Sequence, residues 1–241
     1  MRGCLTSLLV FPAVLLVAAW FLLPRIAGPI VGAGLGVAGF AASEEQVTVS
    51  ADPPIELLTL HADSVHVQAS KATIHGVTID AVDVTLSDVG LLDRTAGTVT
   101  GTLTGVEVRP ADGLPLRVTS VTLDGSSAAI TASLTLSPSD LRSLAANAVK
   151  SALGSVPSSV TFAAPDRATV VVAGVNIAGR LVVTPARGLA FKPTKLPFGL
   201  DGPIDLVTPG PEMPLRISSV TVTASGGMVV AGTVDASLFG G

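Results

Sequence analysis

The sequence predicts an α+β fold in which a long, curved and bulged antiparallel β-sheet wraps around one amphipathic helix, preceded by an N-terminal transmembrane helix. Three observations predict it. From Val47 onward, apolar and polar residues alternate between short Gly, Pro and Asp breaks, which is typical of strands. Residues 137–155 have helical periodicity instead. The first 43 residues are almost wholly apolar, which favours a membrane segment.

Composition supports a β-rich domain and excludes nucleic-acid binding. Of the 241 residues, 48% are hydrophobic but only 3% are aromatic, so branched aliphatic side chains must build the core. All 18 acidic residues follow position 43, against 12 basic ones, which gives that part a net charge of about −6. Such a chain lacks the basic stripe that binds phosphates. Because Cys4 is the only cysteine, no intramolecular disulfide or thiolate metal cluster can form.

An uncharged apolar stretch at residues 5–23 is long enough to cross a hydrocarbon core of about 30 Å. Arg2 precedes it, so the positive-inside rule places the N-terminus in the cytoplasm. We therefore expect residues 1–25 to be a signal anchor in the cytoplasmic membrane, with the rest of the chain on the extracytoplasmic side. The alternative is a secretory signal cleaved after Ala41 or Ala42, although the apolar region of such signals usually spans about 7 to 15 residues.

Residues 26–46 form a Gly-rich apolar helix or linker between this anchor and a β-rich ectodomain at 47–241. Three glycines recur every four residues, on one helix face: Gly28, Gly32 and Gly36. This spacing lets two helix backbones pack closely in a membrane, which predicts self-association. The plainer explanation is that glycine is abundant here. A second membrane crossing by residues 26–43 is a further alternative, and it would return the ectodomain to the cytoplasm.

A repeated spacing predicts bulges in the sheet. Apolar residues occur at positions i, i+2, i+5 and i+7, so that in a regular strand the second pair would face the wrong way. The four sets are Val77/Ile79/Val82/Val84, Leu116/Val118/Val121/Leu123, Val170/Val172/Val175/Ile177 and Leu215/Ile217/Val220/Val222. A β-bulge that absorbs one residue returns both pairs to one face. Bulges in neighbouring strands then curve the sheet into a trough.

An octapeptide is repeated in the ectodomain. PLRVTSVT at 115–122 matches PLRISSVT at 214–221 in six of eight positions. We expect similar β-modules in the two halves of the domain. Convergence between hairpins rich in Val and Thr is the alternative.

The helix at residues 137–155 carries its own start and stop signals. Ser137 is the expected N-cap, Pro138 takes the first helical position, Asp140 completes a capping box and Gly154 ends the helix. One apolar stripe follows the three- and four-residue spacing: Leu141, Leu144, Ala145, Ala148, Val149 and Ala152. A single amphipathic helix among curved strands is expected to lie in their concave face.

The sequence predicts no catalytic residue, metal site or cofactor. No motif pairs a nucleophile with a base, and the three histidines, His61, His66 and His75, have no acidic or cysteine partner at ligand spacing. Surface or strand-edge positions explain them. Asp80 and Asp83 could touch a cation, but a solvated strand face explains these two carboxylates better.

The segment GLAFKPTKLPFGL at 188–200 places two aromatic rings beside two lysines. Phe191 and Phe198 are expected to enter lipid while Lys192 and Lys195 meet phosphate head groups. The alternative is that the phenylalanines close the core and the lysines simply face water.

Taken together, three segments resemble the LmeA-like phospholipid-binding proteins of actinobacterial envelopes, which are similar in fold to tubular lipid-binding (TULIP) proteins. These segments are the run from Val47 through Pro53-Pro54-Ile55 to the strands at 64–86, the capped helix at 137–154, and MPLRISSVTVTASGGMVVAGTV at 213–234. The resemblance implies an extracytoplasmic, membrane-attached domain whose curved sheet encloses a helix and an apolar groove for phospholipid. It implies no catalytic motif. Family members often have a charged amphipathic helix where residues 26–43 here are uncharged and Gly-rich.

Lipid binding is accordingly the leading hypothesis, with a phospholipid or other acyl lipid and the membrane as partners. The expected groove lies between the helix stripe and inward-facing strand residues: Leu141, Leu144, Ala145, Ala148, Val149, Val82, Val84, Val121, Leu123, Val220 and Val222. The second hypothesis is a non-catalytic scaffolding protein of the cell envelope, whose core is filled by its own side chains. An enzyme of envelope lipid or glycan metabolism is the third, and no constellation of residues supports it.

Overall fold

The computed structural model of this protein describes residues 40–74, 77–91, 95–108, 116–126, 129–195, 202–208 and 215–234, together with Gly28, Gly32 and Gly36. Antiparallel strands make up most of these ranges, and one amphipathic α-helix follows the seventh strand. The predicted α+β class is therefore confirmed. The transmembrane helix expected at 5–23 lies outside the described residues, among which no helix is both long and apolar enough to cross a bilayer.

The larger of two sheets has nine strands in the order β1-β3-β4-β5-β6-β7-β14-β13, and β2 also pairs with β3. Its strands are β1 (Phe40–Ala41), β2 (Glu44–Ser50), β3 (His61–Ile74), β4 (Val77–Gly90), β5 (Thr95–Val108), β6 (Leu116–Ser126), β7 (Ala129–Leu136), β13 (Leu215–Val222) and β14 (Met228–Val234). A 3-10 helix, Pro54–Thr59, connects β2 to β3.

The prediction of a single sheet is wrong, because the first five strands after the helix form a second sheet, whereas the last two return to the larger one. The second sheet has the order β12-β11-β10-β9-β8, and its strands are β8 (Ser159–Ala163), β9 (Arg167–Val172), β10 (Val175–Val183), β11 (Leu189–Pro193) and β12 (Ile204–Val207). Each of these strands pairs with the next along the chain. Two backbone hydrogen bonds join this sheet to β13: Ile217 N–H donates to Arg187 O at 2.9 Å, and Val222 N–H donates to Pro165 O at 2.6 Å.

Three of the four predicted bulge sites are irregular positions in the larger sheet. In β13 the register shifts between Ile217 and Ser219. In β3 to β6 one residue of each strand is left out of the pairing at the same level: Lys71, Asp80, Gly105 and Thr119. Ile79 and Val82, on either side of this kink, both lie in the core. The extra residue therefore keeps both apolar pairs on one face, as the spacing predicts.

The fourth predicted bulge is wrong, because residues 170–177 form a hairpin between β9 and β10. Val172 pairs with Val175, and the two turn residues, Ala173 and Gly174, have φ of 49° and 79°. Two successive positive φ values are typical of the type I′ turn that closes two-residue hairpins. A two-residue turn and a bulge produce the same apolar spacing, so this pattern alone does not separate them.

A second kink, which the sequence did not indicate, crosses β3 to β5 nearer the 3-10 helix. The unpaired residues at this level are Asp63, Asp88 and Gly97, and Asp88 has a φ of 54°. The larger sheet therefore bends twice along its long strands.

Both copies of the repeated octapeptide begin a hairpin of the larger sheet. The first copy leads into β6, which pairs with β7, and the second leads into β13, which pairs with β14. Because β7 also pairs with β14, the two hairpins lie side by side with their second strands in contact. The repeat thus corresponds to two equivalent modules of one sheet.

The helix, α1, spans Pro138–Leu153 and has the predicted ends. Ser137 is the N-cap, and its Oγ accepts a hydrogen bond from the N–H of Asp140 at 3.2 Å and donates one to Asp140 Oδ2 at 2.6 Å. Gly154 takes the left-handed conformation at the C-cap, where its N–H donates to Lys150 O. These bonds satisfy backbone groups that a helix terminus otherwise leaves unpaired.

The described residues form two apolar cores. The larger core joins α1 to both sheets and includes Leu141 from the helix, Val121 from the larger sheet and Phe191 from the smaller one. The smaller core lies between the 3-10 helix and the neighbouring ends of β2 to β4, and includes Leu57 and Val65. The helix α1 contributes residues only to the larger core. The predicted groove beside the helix must therefore lie at that core.

We predict that Ser137→Ala lowers the free energy of unfolding by about 1 kcal/mol, because the first turn of α1 loses its side-chain acceptor. Ser151→Ala, an identical change at an exposed position of the same helix, is the matched control and should stay within about 0.5 kcal/mol. Thermal unfolding of the full chain in detergent, followed by circular dichroism, measures both. Equal losses in the two variants would contradict the capping role.

A candidate lipid-binding groove

The helix wall of the candidate groove consists of two rows of apolar side chains. Leu141, Ala145 and Val149 follow each other at four-residue spacing, and all three are buried in the larger core. Leu144 and Ala148 form the adjacent row and are only half-buried, although they pack against the same core. The helix therefore turns one row fully into the core and leaves the next row partly accessible.

Two rows of side chains cross the larger sheet from β3 to β13, and most of their apolar members belong to the core that also contains the helix residues. Cross-strand pairing defines them as Ala69, Val82, Leu103, Val121, Leu134, Val230 and Val220, and as Val67, Val84, Gly101, Leu123, Ala132, Gly232 and Ile217. In the second row, a Cβ on Gly101 or Gly232 would meet a backbone oxygen of the neighbouring strand. Glycine at these positions lets the strands approach closely where the sheet curves.

The burial of the sheet residues matches that of the helix. Val82, Val121 and Val222 are buried in the larger core, whereas Val84, Leu123 and Val220 are half-buried and pack against it. The larger core thus includes half-buried apolar side chains from both the helix and the sheet. We call the half-buried residues of the predicted groove the seam, and they are Leu144, Ala148, Val84, Leu123 and Val220.

The chemistry of this interior is uniformly apolar. Among the residues that the structure describes, every buried side chain in the core is hydrophobic, and none that is polar or charged is buried. Burial of an unpaired polar group costs free energy, so such walls favour hydrocarbon over a head group or an ion. The arrangement can therefore accept acyl chains, while the polar part of a ligand would remain at the surface.

The aromatic and basic segment at 188–200 is placed differently from the predicted membrane contact. Its first half is strand β11, in which the Phe191 ring is only 2% exposed and packs against Gly179 of β10. Lys192 and Lys195 are exposed, and Phe198 lies outside the described residues. Phe191 therefore closes the core together with the two residues before it in β11, as the alternative had it, and Lys192 is the first exposed residue of that strand.

The glycines near the N-terminus approach a strand of their own chain. A Cβ on Gly28 would lie 2.6 Å from Val47 O, and one on Gly32 would lie 2.9 Å from Glu45 Oε1. Gly36 is exposed, and a Cβ there would meet no atom within 4 Å. Gly28 and Gly32 thus allow their segment to pack closely on β2. Self-association of two copies through these glycines would have to displace this contact.

Several ionisable side chains have partners that local spacing did not reveal, because the partners lie on neighbouring strands. His66 Nε2 is 2.9 Å from Asp83 Oδ1, and Arg117 donates to Asp80 at 2.9 Å, so the two aspartates have separate partners instead of sharing a cation. His61 Nε2 lies 3.3 Å from Asp88. Sequence reasoning also missed a group of candidate metal ligands, Glu56, His61 and Asp63. His75 lies outside the described residues.

The fold and the interior together define the class of protein. The helix and two antiparallel sheets share one apolar core, an arrangement that suits a lipid-binding domain and offers little to a polar ligand.

A family model described as LmeA-like phospholipid-binding matches residues 13–233 of this chain, so the protein belongs to that family. The resemblance seen in the sequence is thereby confirmed, and membership supports lipid binding. Comparisons with curated proteins and with solved structures returned no match.

The His66 and Asp83 pair predicts a pH-dependent stability. Hydrogen bonds from His66 and, secondarily, Gln68 lower the pKa of the Asp83 carboxyl from its ordinary value of 3.8. The unfolded chain then binds this proton more readily than the folded one, so the stabilisation is present above the ordinary pKa and is lost as the pH falls through the lowered value.

As the pH is lowered from about 5 to about 2, the melting temperature of the Asp83→Asn variant should fall less than that of the wild type. Asp205→Asn, which removes an exposed carboxylate from β12, is the control and should retain the wild-type slope. Melting curves at a series of pH values measure this. An unchanged slope in Asp83→Asn would show that the pair does not contribute.

Proposed function

We propose that this protein is a membrane-anchored, extracytoplasmic lipid-binding protein that holds phospholipid or a related envelope lipid in the groove beside α1. The observation that carries the proposal is the seam, where half-buried apolar side chains of the helix and the sheet pack against a core whose described buried side chains are all hydrophobic. Membership of the LmeA-like phospholipid-binding family supports the same assignment.

The expected gain from filling this surface is large enough to hold a lipid without any specific head-group contact. Burial of one methylene contributes about 0.8 kcal/mol, so a long acyl chain offers roughly 10 kcal/mol before the entropic cost of ordering it. Ala148 presents a short, half-buried side chain on the helix, so it would obstruct little of an acyl chain lying along that face.

A self-filled scaffold is the second candidate. The full burial of Leu141 and Leu189, both 0% exposed, favours it, because these side chains already fill part of the interior. The two candidates differ in what covers the seam. In a lipid-binding protein it is an acyl chain, and in a self-filled scaffold it is neighbouring side chains.

Lipid content distinguishes them directly. Mass spectrometry of the detergent-solubilised full chain should detect co-purifying phospholipid, and delipidated protein should take up phospholipid from vesicles. Protein that neither carries lipid nor takes it up would overturn the proposal and favour the scaffold.

We predict that Leu144→Trp reduces lipid uptake at least several-fold while changing the free energy of unfolding by less than about 1 kcal/mol, because the larger ring fills the groove. In a self-filled core the same ring would overpack the interior and cost about 1 to 3 kcal/mol. Ser143→Trp, at the adjacent exposed position of α1, is the control and should retain both uptake and stability. Strong destabilisation with unchanged uptake would contradict the groove.

The proposed anchor is the apolar segment at 5–23, with the β-rich domain outside the cytoplasmic membrane. The sequence supports this orientation through the length of the segment and through Arg2 in front of it. Attachment at this end would keep the groove close to the leaflet that supplies its lipid.

The single cysteine of the chain makes this topology testable. With an impermeant maleimide applied to intact cells, wild-type Cys4 should stay unlabelled, whereas the thiol introduced by Ser225→Cys in the exposed turn after β13 should react. Permeabilised cells, in which Cys4 also reacts, provide the control. An unlabelled Ser225→Cys variant would place the domain in the cytoplasm, and loss of Cys4 from the mature chain would indicate a cleaved signal.

A further inference from the structure

A mixed imidazole and carboxylate cluster lies at the second kink of the larger sheet, away from the groove and beside the smaller core. Glu56 comes from the 3-10 helix, and His61 and Asp63 come from the start of β3. One ligand atom from each of the three side chains lies within 4.8 Å of the others. Glu56 and His61 are half-buried, and Asp63 is exposed.

Backbone and side-chain contacts hold these groups in place. The N–H of Asp52 donates to Asp63 Oδ2 at 2.6 Å, which orients that carboxylate and leaves its other oxygen available. Asp88 Oδ1 lies 3.3 Å from His61 Nε2. A carboxylate beside a histidine is the usual support for a metal-binding imidazole, because it fixes the orientation of the ring.

The 3-10 helix that carries Glu56 is tied to the strands next to it. Thr59 Oγ donates to Glu56 O at 2.7 Å, and the N–H of Leu91, at the end of β4, donates to Leu60 O at 2.8 Å. Leu57 is buried beneath this helix in the smaller core. Glu56 thus sits on an anchored 3-10 helix, and its carboxylate lies within 4.8 Å of the ligand atoms of His61 and Asp63.

The ligand types indicate which ions fit. Imidazole nitrogen favours zinc and similar transition metals, whereas Ca²⁺ and Mg²⁺ prefer sites built only from oxygen. Bonds of about 2.0 to 2.2 Å to zinc require the three ligand atoms to close in by roughly 1 Å, a movement within the freedom of partly exposed side chains.

We propose that Glu56, His61 and Asp63 bind one divalent transition-metal ion of the zinc type, with Asp88 positioning the imidazole. The ion joins the 3-10 helix to the first residues of β3. It thereby stiffens the tip of the sheet at which two large apolar side chains are exposed, Leu58 at 63% and Leu60 at 45%. This role is independent of lipid binding in the groove.

The test uses the full chain in detergent, stripped with a chelator and titrated with Zn²⁺ alone. Calorimetry should show one ion bound per chain. His61→Gln and Glu56→Gln should each weaken binding by more than about 100-fold, and Asp88→Asn should weaken it by about 10- to 100-fold, as is usual for a supporting residue. Circular dichroism confirms that each variant is folded.

His66→Gln is the matched control, because His66 is a second imidazole of β3 that also lies beside an aspartate but outside the cluster. It should bind Zn²⁺ like the wild type. Zn²⁺ should also slow cleavage after Leu58 and Leu60 by a leucine-directed protease several-fold in wild type and His66→Gln, but not in His61→Gln. Absence of Zn²⁺ binding, equal binding in His61→Gln, or binding of Ca²⁺ in preference to Zn²⁺ would overturn the proposal.

Discussion

The alternation of side chains along a strand is the constraint on which the larger sheet depends. In a regular strand, the extra residue between the two apolar pairs would turn the second pair to the solvent, so that residue has to drop out of the alternation. The register of the sheet is kept on both sides only if neighbouring strands do this at the same level. The structure meets this condition at Asp80 and at its unpaired counterparts on the adjacent strands. Apolar residues on both sides of the kink, such as Ile79 and Val82, then lie in the same core as the apolar residues of α1.

Features that depend on a few consecutive residues could be predicted from the sequence, and features that depend on distant pairing could not. The ends of α1, the bulge in β13 and the interrupted pairing in β4 and β6 follow from local spacing and capping chemistry, and the sequence predicts an irregularity at each of these positions. The turn at Ala173 was mistaken for a bulge because both shift the apolar pattern equally. The inward orientation of Phe191, the separate second sheet and the partners of His61 depend on which strands pair, and a single sequence does not contain that information.

The larger sheet carries two kinds of surface, one at each apolar core. At the larger core, half-buried apolar residues of the helix and the sheet pack against buried side chains that are all hydrophobic in the described residues. At the smaller core lie two half-buried ionisable groups, Glu56 and His61, and the exposed Asp63, next to two exposed leucines. Long strands of fourteen residues, such as β3 and β4, span both regions. A change in strand order or register would therefore affect both ends of the molecule together.

The pairing of β7 with β14 has a consequence for how the chain is made. Leu136 pairs with Met228, so the middle of the larger sheet closes only after α1 and the whole second sheet have been synthesised. Until then β7 is an open edge whose backbone groups and apolar face can pair with other chains, which is a known route to aggregation. Premature chain termination before β14 would leave this nascent edge unprotected even though every strand of the first half had already formed.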